Sequence, residues 1–191
     1  MKRLISLLAL FGLLAAARAD VETYSIDSVH SSSGFSVRHI LSKFTSSFTK
    51  TSGTITVDRA NLENSKVEAT VEVASVSTAA PDRDKHLQSP DFFDAVKFPS
   101  MTFKSTAWKK TGENTFDVTG NLTIKDITKE VVLKTTLLGF GPGMRPGSAV
   151  SGWEATTVLK RSDFGVNGPA MLGKALGDEV TVDINIEAKK G

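Results

Sequence analysis

From Glu179 the chain reads EVTVDINIEA, which puts Val180, Val182, Ile184, Ile186 and Ala188 on one side of an extended backbone and Thr181, Asp183, Asn185 and Glu187 on the other. The same period of two runs through GTITVD from Gly53, KVEATVEVAS from Lys66 and TFDVTGNLTI from Thr115. ETYSID (22–27), SGFSVRHI (33–40), PSMTFKSTAW (99–108), EVVLKTTLL (130–138) and AVSGWEATTVL (149–159) bring the expected strands to eight or nine. Turn-prone Gly, Asn and Asp separate them. Strands with one buried face, joined by connections too short for parallel crossovers, pack as an antiparallel barrel or sandwich. An eight-stranded barrel has room inside for side chains or for one small ligand.

The opening residues follow a different pattern. MKRLISLLALFGLLAAARAD sets Lys2 and Arg3 before an apolar run from Leu4 to Ala17, then Ala17, Arg18 and Ala19, the layout of a secretory signal peptide. Residues 1–19 are expected to be that peptide, cleaved after Ala19, and residues 20–191 to be a single exported domain. The run falls short of the roughly 20 apolar residues of a spanning helix, and no later stretch approaches that length, so stable membrane insertion is not expected. There is no cysteine, so an exported domain of this size must be held by its core, without disulfides. Three of the 23 basic residues lie in the leader, and the other 20 against 21 acidic ones leave a formal charge of −1. Without a clustered basic face to neutralise phosphates, nucleic acid is excluded as a partner.

Two stretches interrupt the alternation. In PDRDKHLQSPDFFDAVKFP (81–99), Asp82 is placed to cap a short helix carrying His86 and Leu87, with a second turn over Asp91 to Ala95 before Pro99 restores extended chain. GPAMLGKALGD (168–178) is the other. One or two short helices beside a barrel suggest a cap.

YSIDSVHSSSGFSVRH (24–39), RDKHLQSPDFFD (83–94), FPSMTFKS (98–105), VTGNLTIKDITKEV (118–131) and RSDFGV (161–166) stand in the order and spacing of the YceI-like proteins, and the chain resembles that family over nearly all of its mature length. The resemblance implies an elongated, lipocalin-like antiparallel barrel exported to the bacterial periplasm, with a long isoprenoid or similar amphiphile in its interior and no catalytic activity. The chain departs from many relatives at Lys125 and Asp126, where they carry a Gly or His pair, and at SSFTKTSG, where they carry a Gly. Both places read as turn or strand edge, near a barrel mouth flanked by Phe44 and Phe48.

His30, His39 and His86 match in number the protein ligands of a catalytic zinc site, but none has a short ligand spacing, and no metal or cofactor is expected. His39 shares parity with Phe35 and Val37 and should point with them into the barrel, Arg38 away from it. No serine stands in a Gly-x-Ser-x-Gly elbow, and Asp84 and His86, two apart, would leave a helix on different faces. The alternative function is a hydrolase or metal-dependent enzyme using His39, His86, Arg83 and Asp84 at the barrel mouth. GFGPGMRPGS from Gly139 precedes a strand, so it reads as a hairpin loop and not a phosphate cradle. The NLT sequon at Asn121 falls within a strand.

Arg83 and Asp84, with Arg161 and Asp163, are expected either to form an ion-pair network tying the cap to the RSDFG strand end or to hold a polar headgroup. Phe35, Phe92, Phe93, Phe98, Phe103, Trp153 and Phe164 fall in cap or inward positions. Together with Val37, His39 and His86 they are the expected wall of a tunnel for an apolar chain. Whether the protein forms a homodimer is left open by the sequence.

Overall fold

The computed structural model describes residues 21–191; the expected signal peptide lies outside them. Eleven antiparallel segments build the wall: β1 Val21–Ile26, β2 Ser32–His39, β3 Ser42–Phe48, β4 Thr51–Asp58, β5 Lys66–Glu72, β6 Val76–Ser77, β7 Ser100–Lys110, β8 Thr115–Ile124, β9 Ile127–Pro142, β10 Ala149–Lys160 and β11 Leu176–Lys190. The ladder runs β1, β4, β5, β7, β8, β9, β10, β11 and returns to β1, so an eight-stranded barrel is closed. Closure leaves that ring without an unpaired edge.

Three of the eight strands are broken in two. The edge of β11 pairs with β2 from Leu176 to Asn185 and with β1 from Ala188 to Lys190, so β1 and β2 are successive pieces of one strand. β3 and β4 are likewise successive, pairing with β6 and β5. Polar side chains satisfy the backbone where the ladders stop. The Ser31 hydroxyl bonds both the carbonyl and the amide of Glu187, Asp27 accepts from the Val29 amide, and the Ser75 hydroxyl accepts from the amide of Lys50.

All nine expected strands are present, and two further ones were not anticipated. β3 is SKFTSSF, whose serines and threonine resemble loop composition; pairing along β2, from Ser33↔Phe48 to His39↔Ser42, makes it a strand. The helix α1 spans Pro81–Gln88, but Asp82 does not cap it. Ala80 precedes it and Pro81 supplies a preset first position, so Asp82 sits inside the first turn, where a carboxylate suits the helix dipole. Asp91 to Ala95 form successive turns and no second helix, and 170–175 is a 3-10 segment kinked at Gly173. The loop expected from Gly139 is shorter, since Gly139–Pro142 continue β9 and the hairpin loop is 143–148, and Asn121 lies within β8 as expected.

Two apolar clusters fill the barrel at different heights. One unites Tyr24, Val57, Trp108, Phe116, Leu137, Trp153 and Ala188; the other unites Phe48, Val73, Phe92, Met101, Ile124, Phe164 and Val166. Each large side chain buried there contributes roughly 1.5–3 kcal/mol. Gly120 has a specific reason to lack a side chain: a Cβ there would run into the ring of Phe103, which lies across β8 at that point, and into the Lys104 carbonyl. Among the described residues, no helix is long and apolar enough to cross a membrane.

Candidate ligand cavity

A cavity of about 630 Å³ runs between the two clusters. Alternate residues of the strands supply its wall: Val67, Ala69 and Val71 of β5, Val118, Leu122 and Ile124 of β8, and Val180, Val182, Ile184 and Ile186 of β11. These are the inward faces that period two assigns. Polar atoms are sparse within, and two of them, the hydroxyls of Ser33 and Thr51, satisfy each other at 2.8 Å.

One end is closed by aromatic rings in sequence. Phe116 meets Trp108 at 5.8 Å between centroids, Trp108 meets Trp153 at 5.6 Å, Trp153 meets Phe140 at 5.9 Å and Phe140 meets Tyr24 at 5.8 Å. Edge-on and tilted packing of this kind suits the ring quadrupoles. Arg59 covers the Phe140 ring at 3.6 Å. The Trp153 indole N–H donates to the Ser151 hydroxyl, and the Tyr24 hydroxyl donates to Glu22, whose other oxygen accepts from Lys190. Burial, then that bond to Glu22, pushes the Tyr24 phenol up to about 12.

The other end is the mouth, built from irregular chain. Phe44, Phe35, Phe48 and Phe93 make a row of rings from β3 to the cap, at 6.4, 5.6 and 5.6 Å. The Arg83 guanidinium lies 4.2 Å from the Phe44 centroid and donates to the hydroxyl and carbonyl of Thr78, while Asp84 accepts from the Thr78 amide. Arg161 donates to four carbonyls, those of Val166, Asn167, Leu176 and Gly177, and so fastens both ends of the 168–175 segment. Asp178 accepts from the amide and hydroxyl of Ser162; the hydroxyl bond comes first among the causes that hold its carboxyl below the usual range.

Most of the expected wall residues come together here. Phe35, Val37, His39, His86, Phe92, Phe93, Phe103, Trp153 and Phe164 all line the cavity, as do Arg83 and Arg161. His39 has the expected parity, but it sits at the exposed rim. Phe98 does not line the cavity: it precedes β7 with the parity of Ser100 and Lys104, beneath the Lys97 ammonium. No Arg83–Asp163 pair exists among the described residues. Asp163 instead faces Lys129 at 3.5 Å, and both arginines bind backbone carbonyls. The expected ion-pair network is therefore replaced by arginine-to-carbonyl clamps, with Asp178 as an acid the sequence did not single out.

The histidines do not converge. His86 pairs with Asp91 at 2.8 Å and packs on the Phe92 edge, whereas His30 lies elsewhere, 2.7 Å from Asp27 and 3.9 Å from Glu187. Asp27, His30 and Glu187 are close enough to share an ion, but the Lys189 ammonium already sits 2.6 Å from Asp27. Trp108 was missed as a wall residue because a register shift between Ser105 and Ala107 turns it to the side that Phe103 faces. Met101, which shares parity with Phe103, was missed as a wall residue too, and Phe44 and Phe48 were placed only beside the mouth. The alternation of Phe44, Ser46 and Phe48 was the signal for the two phenylalanines, masked by the serines.

A model of the YceI-like domain matches residues 24–188. A UPF0312 protein of Pseudomonas syringae pv. tomato is 37% identical over 187 residues, covering 96% of this chain and 97% of its own. BcnA of Burkholderia cenocepacia superposes with a TM-score of 0.74 at 24% identity, over 85% of this chain and 98% of its own. A polyisoprenoid-binding domain from Saccharophagus degradans superposes with a TM-score of 0.67 at 15% identity, over 88% and 98%.

Proposed function

Starting from the fact that this chain belongs to the YceI-like family, we propose that it is a binding protein that holds a long isoprenoid or similar amphiphile inside its barrel. The observation that carries this reading is one continuous apolar cavity of about 630 Å³, reaching from the rim at His39 and Arg83 to the ring floor at Trp108 and Trp153. That volume falls within the roughly 300–1,000 Å³ of small-molecule sites, and an apolar wall with few polar anchors suits a tail that needs no directed hydrogen bond. The tail lies along Phe35, Phe93, Phe103 and Trp153, and the headgroup sits at the rim near His39, Lys43, Arg83 and His86. Residues 1–19 serve as a signal peptide and residues 20–191 work in the periplasm, carrying, storing or sequestering the amphiphile without turning it over.

Native mass spectrometry of the purified protein, followed by organic extraction, tests this. A non-covalently bound hydrophobic compound is expected, together with no activity on ester or phosphoester substrates. A protein that stays empty after incubation with polyprenols would overturn the reading. Robust turnover lost on His86→Ala would establish the enzyme alternative in its place.

A further inference from the structure

The mouth presents its largest exposed apolar side chains on two adjoining segments. Ile40 and Leu41 form the two-residue turn between β2 and β3 and are 56% and 97% exposed, and Met171 in the 168–175 segment is 89% exposed. Ile40 has φ 52°, in the left-handed region where a β-branched residue is strained and where Asn or Gly is the ordinary hairpin choice. The turn thus keeps two bulky apolar residues in solvent against local preference. The Ile40 amide donates to the Ala175 carbonyl, and Arg38 donates to the carbonyls of Ile40 and Lys174, so the two segments form one rim.

Of the segments that make the mouth, the turn at 40–41 with its flanks and the 168–175 segment carry only basic charge, whereas the cap beside them holds Asp82, Asp84, Asp91 and Asp94. No acidic residue occurs between Asp27 and Asp58 or between Asp163 and Asp178, whereas Arg38, Lys43 and Lys174 lie in those intervals. None of the three is in an ion pair among the described residues. The neighbours of the exposed apolar residues, His39 and Ser42 on one side and Leu172 on the other, line the cavity.

We propose that this rim docks on an anionic lipid bilayer, with Ile40, Leu41 and Met171 entering the acyl boundary and Arg38, Lys43 and Lys174 meeting the phosphates. Exposed apolar side chains ringed by cations are the pattern that binds the interface of anionic membranes. A second copy that covered Ile40, Leu41 and Met171 with its own would set Arg38, Lys43 and Lys174 against their like, so the bilayer is the occupant that both the apolar and the charged residues of these two segments favour. The cavity mouth would then open onto the membrane, and in this respect the inference rests on the amphiphile-holding function.

The test is co-sedimentation of the purified protein with vesicles of phosphatidylethanolamine and phosphatidylglycerol, and with vesicles of phosphatidylcholine alone. Binding is expected on the anionic vesicles and should weaken as salt is raised. Leu41→Ser with Met171→Ser should lower partitioning by about tenfold or more, and Lys174→Gln by about fivefold. Met144→Ser, fully exposed at the opposite end of the barrel, should change nothing. Absence of binding to anionic vesicles, or a Leu41→Ser/Met171→Ser variant that binds like the wild type, would overturn the proposal. So would a wild-type dimer, seen by light scattering, that the same double variant converts to monomer. Polyprenol uptake from detergent micelles, measured in parallel, should survive in the double variant. Vesicle binding without uptake in the wild type would sink the proposed function and leave the docking intact.

Discussion

The two ends of the barrel are made of the same strands and are finished by different means. At the floor, Tyr24, Phe116, Phe140 and the two tryptophans pack in one cluster, and Tyr24 and Trp153 place their polar atoms on Glu22 and Ser151. At the mouth, strands stop early, a short helix and a 3-10 segment take over, and the arginines serve backbone carbonyls that no ladder satisfies. Local stability follows the density of apolar contacts and of paired backbone groups. The floor is therefore expected to be the rigid end, and the mouth the end that responds to a ligand.

The largest expected effect is on the floor. Trp153→Ala removes a side chain that touches Trp108 and Phe140 and leaves the Ser151 hydroxyl without its indole donor. A loss of about 3–5 kcal/mol is expected from denaturant unfolding, with or without lipid. A variant that keeps wild-type stability when empty would mean that the floor is loosely packed, and the contrast between the ends would fail. Arg161→Ala is the mouth's counterpart. Hydrogen bonds from a charged donor are worth roughly 1.5–3 kcal/mol each, but these carbonyls lie near solvent, so a total near the lower figure is expected. Faster proteolysis within 166–177 should accompany it; uniform destabilisation without local cleavage would show that Arg161 supports the whole barrel.

Much of this architecture was legible in the sequence because period two is a direct consequence of strand geometry. It separated the two faces of β11 correctly, and it made the interruptions at 81–99 and 168–178 visible as segments of the mouth, although β11 already begins at Leu176. What stayed hidden depends on pairing. β3 is a strand because β2 lies beside it, and Trp108 faces inward because β7 slips one residue against β8. Neither depends on composition. Charge identity was similarly incomplete as a guide: Arg83 and Asp163 match by sign, yet Arg83 donates to the Thr78 hydroxyl and carbonyl within reach of it, and Asp163 faces Lys129.

Phe92 and Phe93, adjacent in sequence, allow the contrast to be drawn within the mouth itself. Phe92 is 5% exposed, packed on His86 and on Gly168, where even a Cβ would come within 2.8 Å of its ring. Phe93 is half-buried and meets Phe48 along the aromatic row. Phe92→Ala is expected to destabilise the empty protein by about 3 kcal/mol. Phe93→Ala should change the empty protein less and should instead reduce the melting-temperature rise produced by an extracted lipid, since a ligand stabilises only in proportion to its affinity for the folded state. Thermal melts with and without lipid decide it, and equal lipid-induced shifts in wild type and Phe93→Ala would make that ring ordinary core.

The smallest effect is expected halfway along the wall, at the break between β1 and β2, and it should depend on pH. The hydrogen bond from His30, followed by that from Lys189, holds the Asp27 carboxyl far below the usual aspartate range. A carboxyl whose folded pKa is depressed adds stability that is fully present above its unfolded pKa, about 4, and is lost as pH falls through the folded value. Asn at position 27 retains the shape and an acceptor for the Val29 amide, losing only the charge that faces Lys189 and His30. Asp27→Asn should accordingly melt below the wild type at neutral pH by less than either aromatic truncation. The difference should shrink steadily as the pH is lowered below about 4, because only the wild type then loses an ionised partner. A difference of constant size from neutral to acid would show that packing at the strand break, and not the charge of Asp27, is what joins the two halves of the wall.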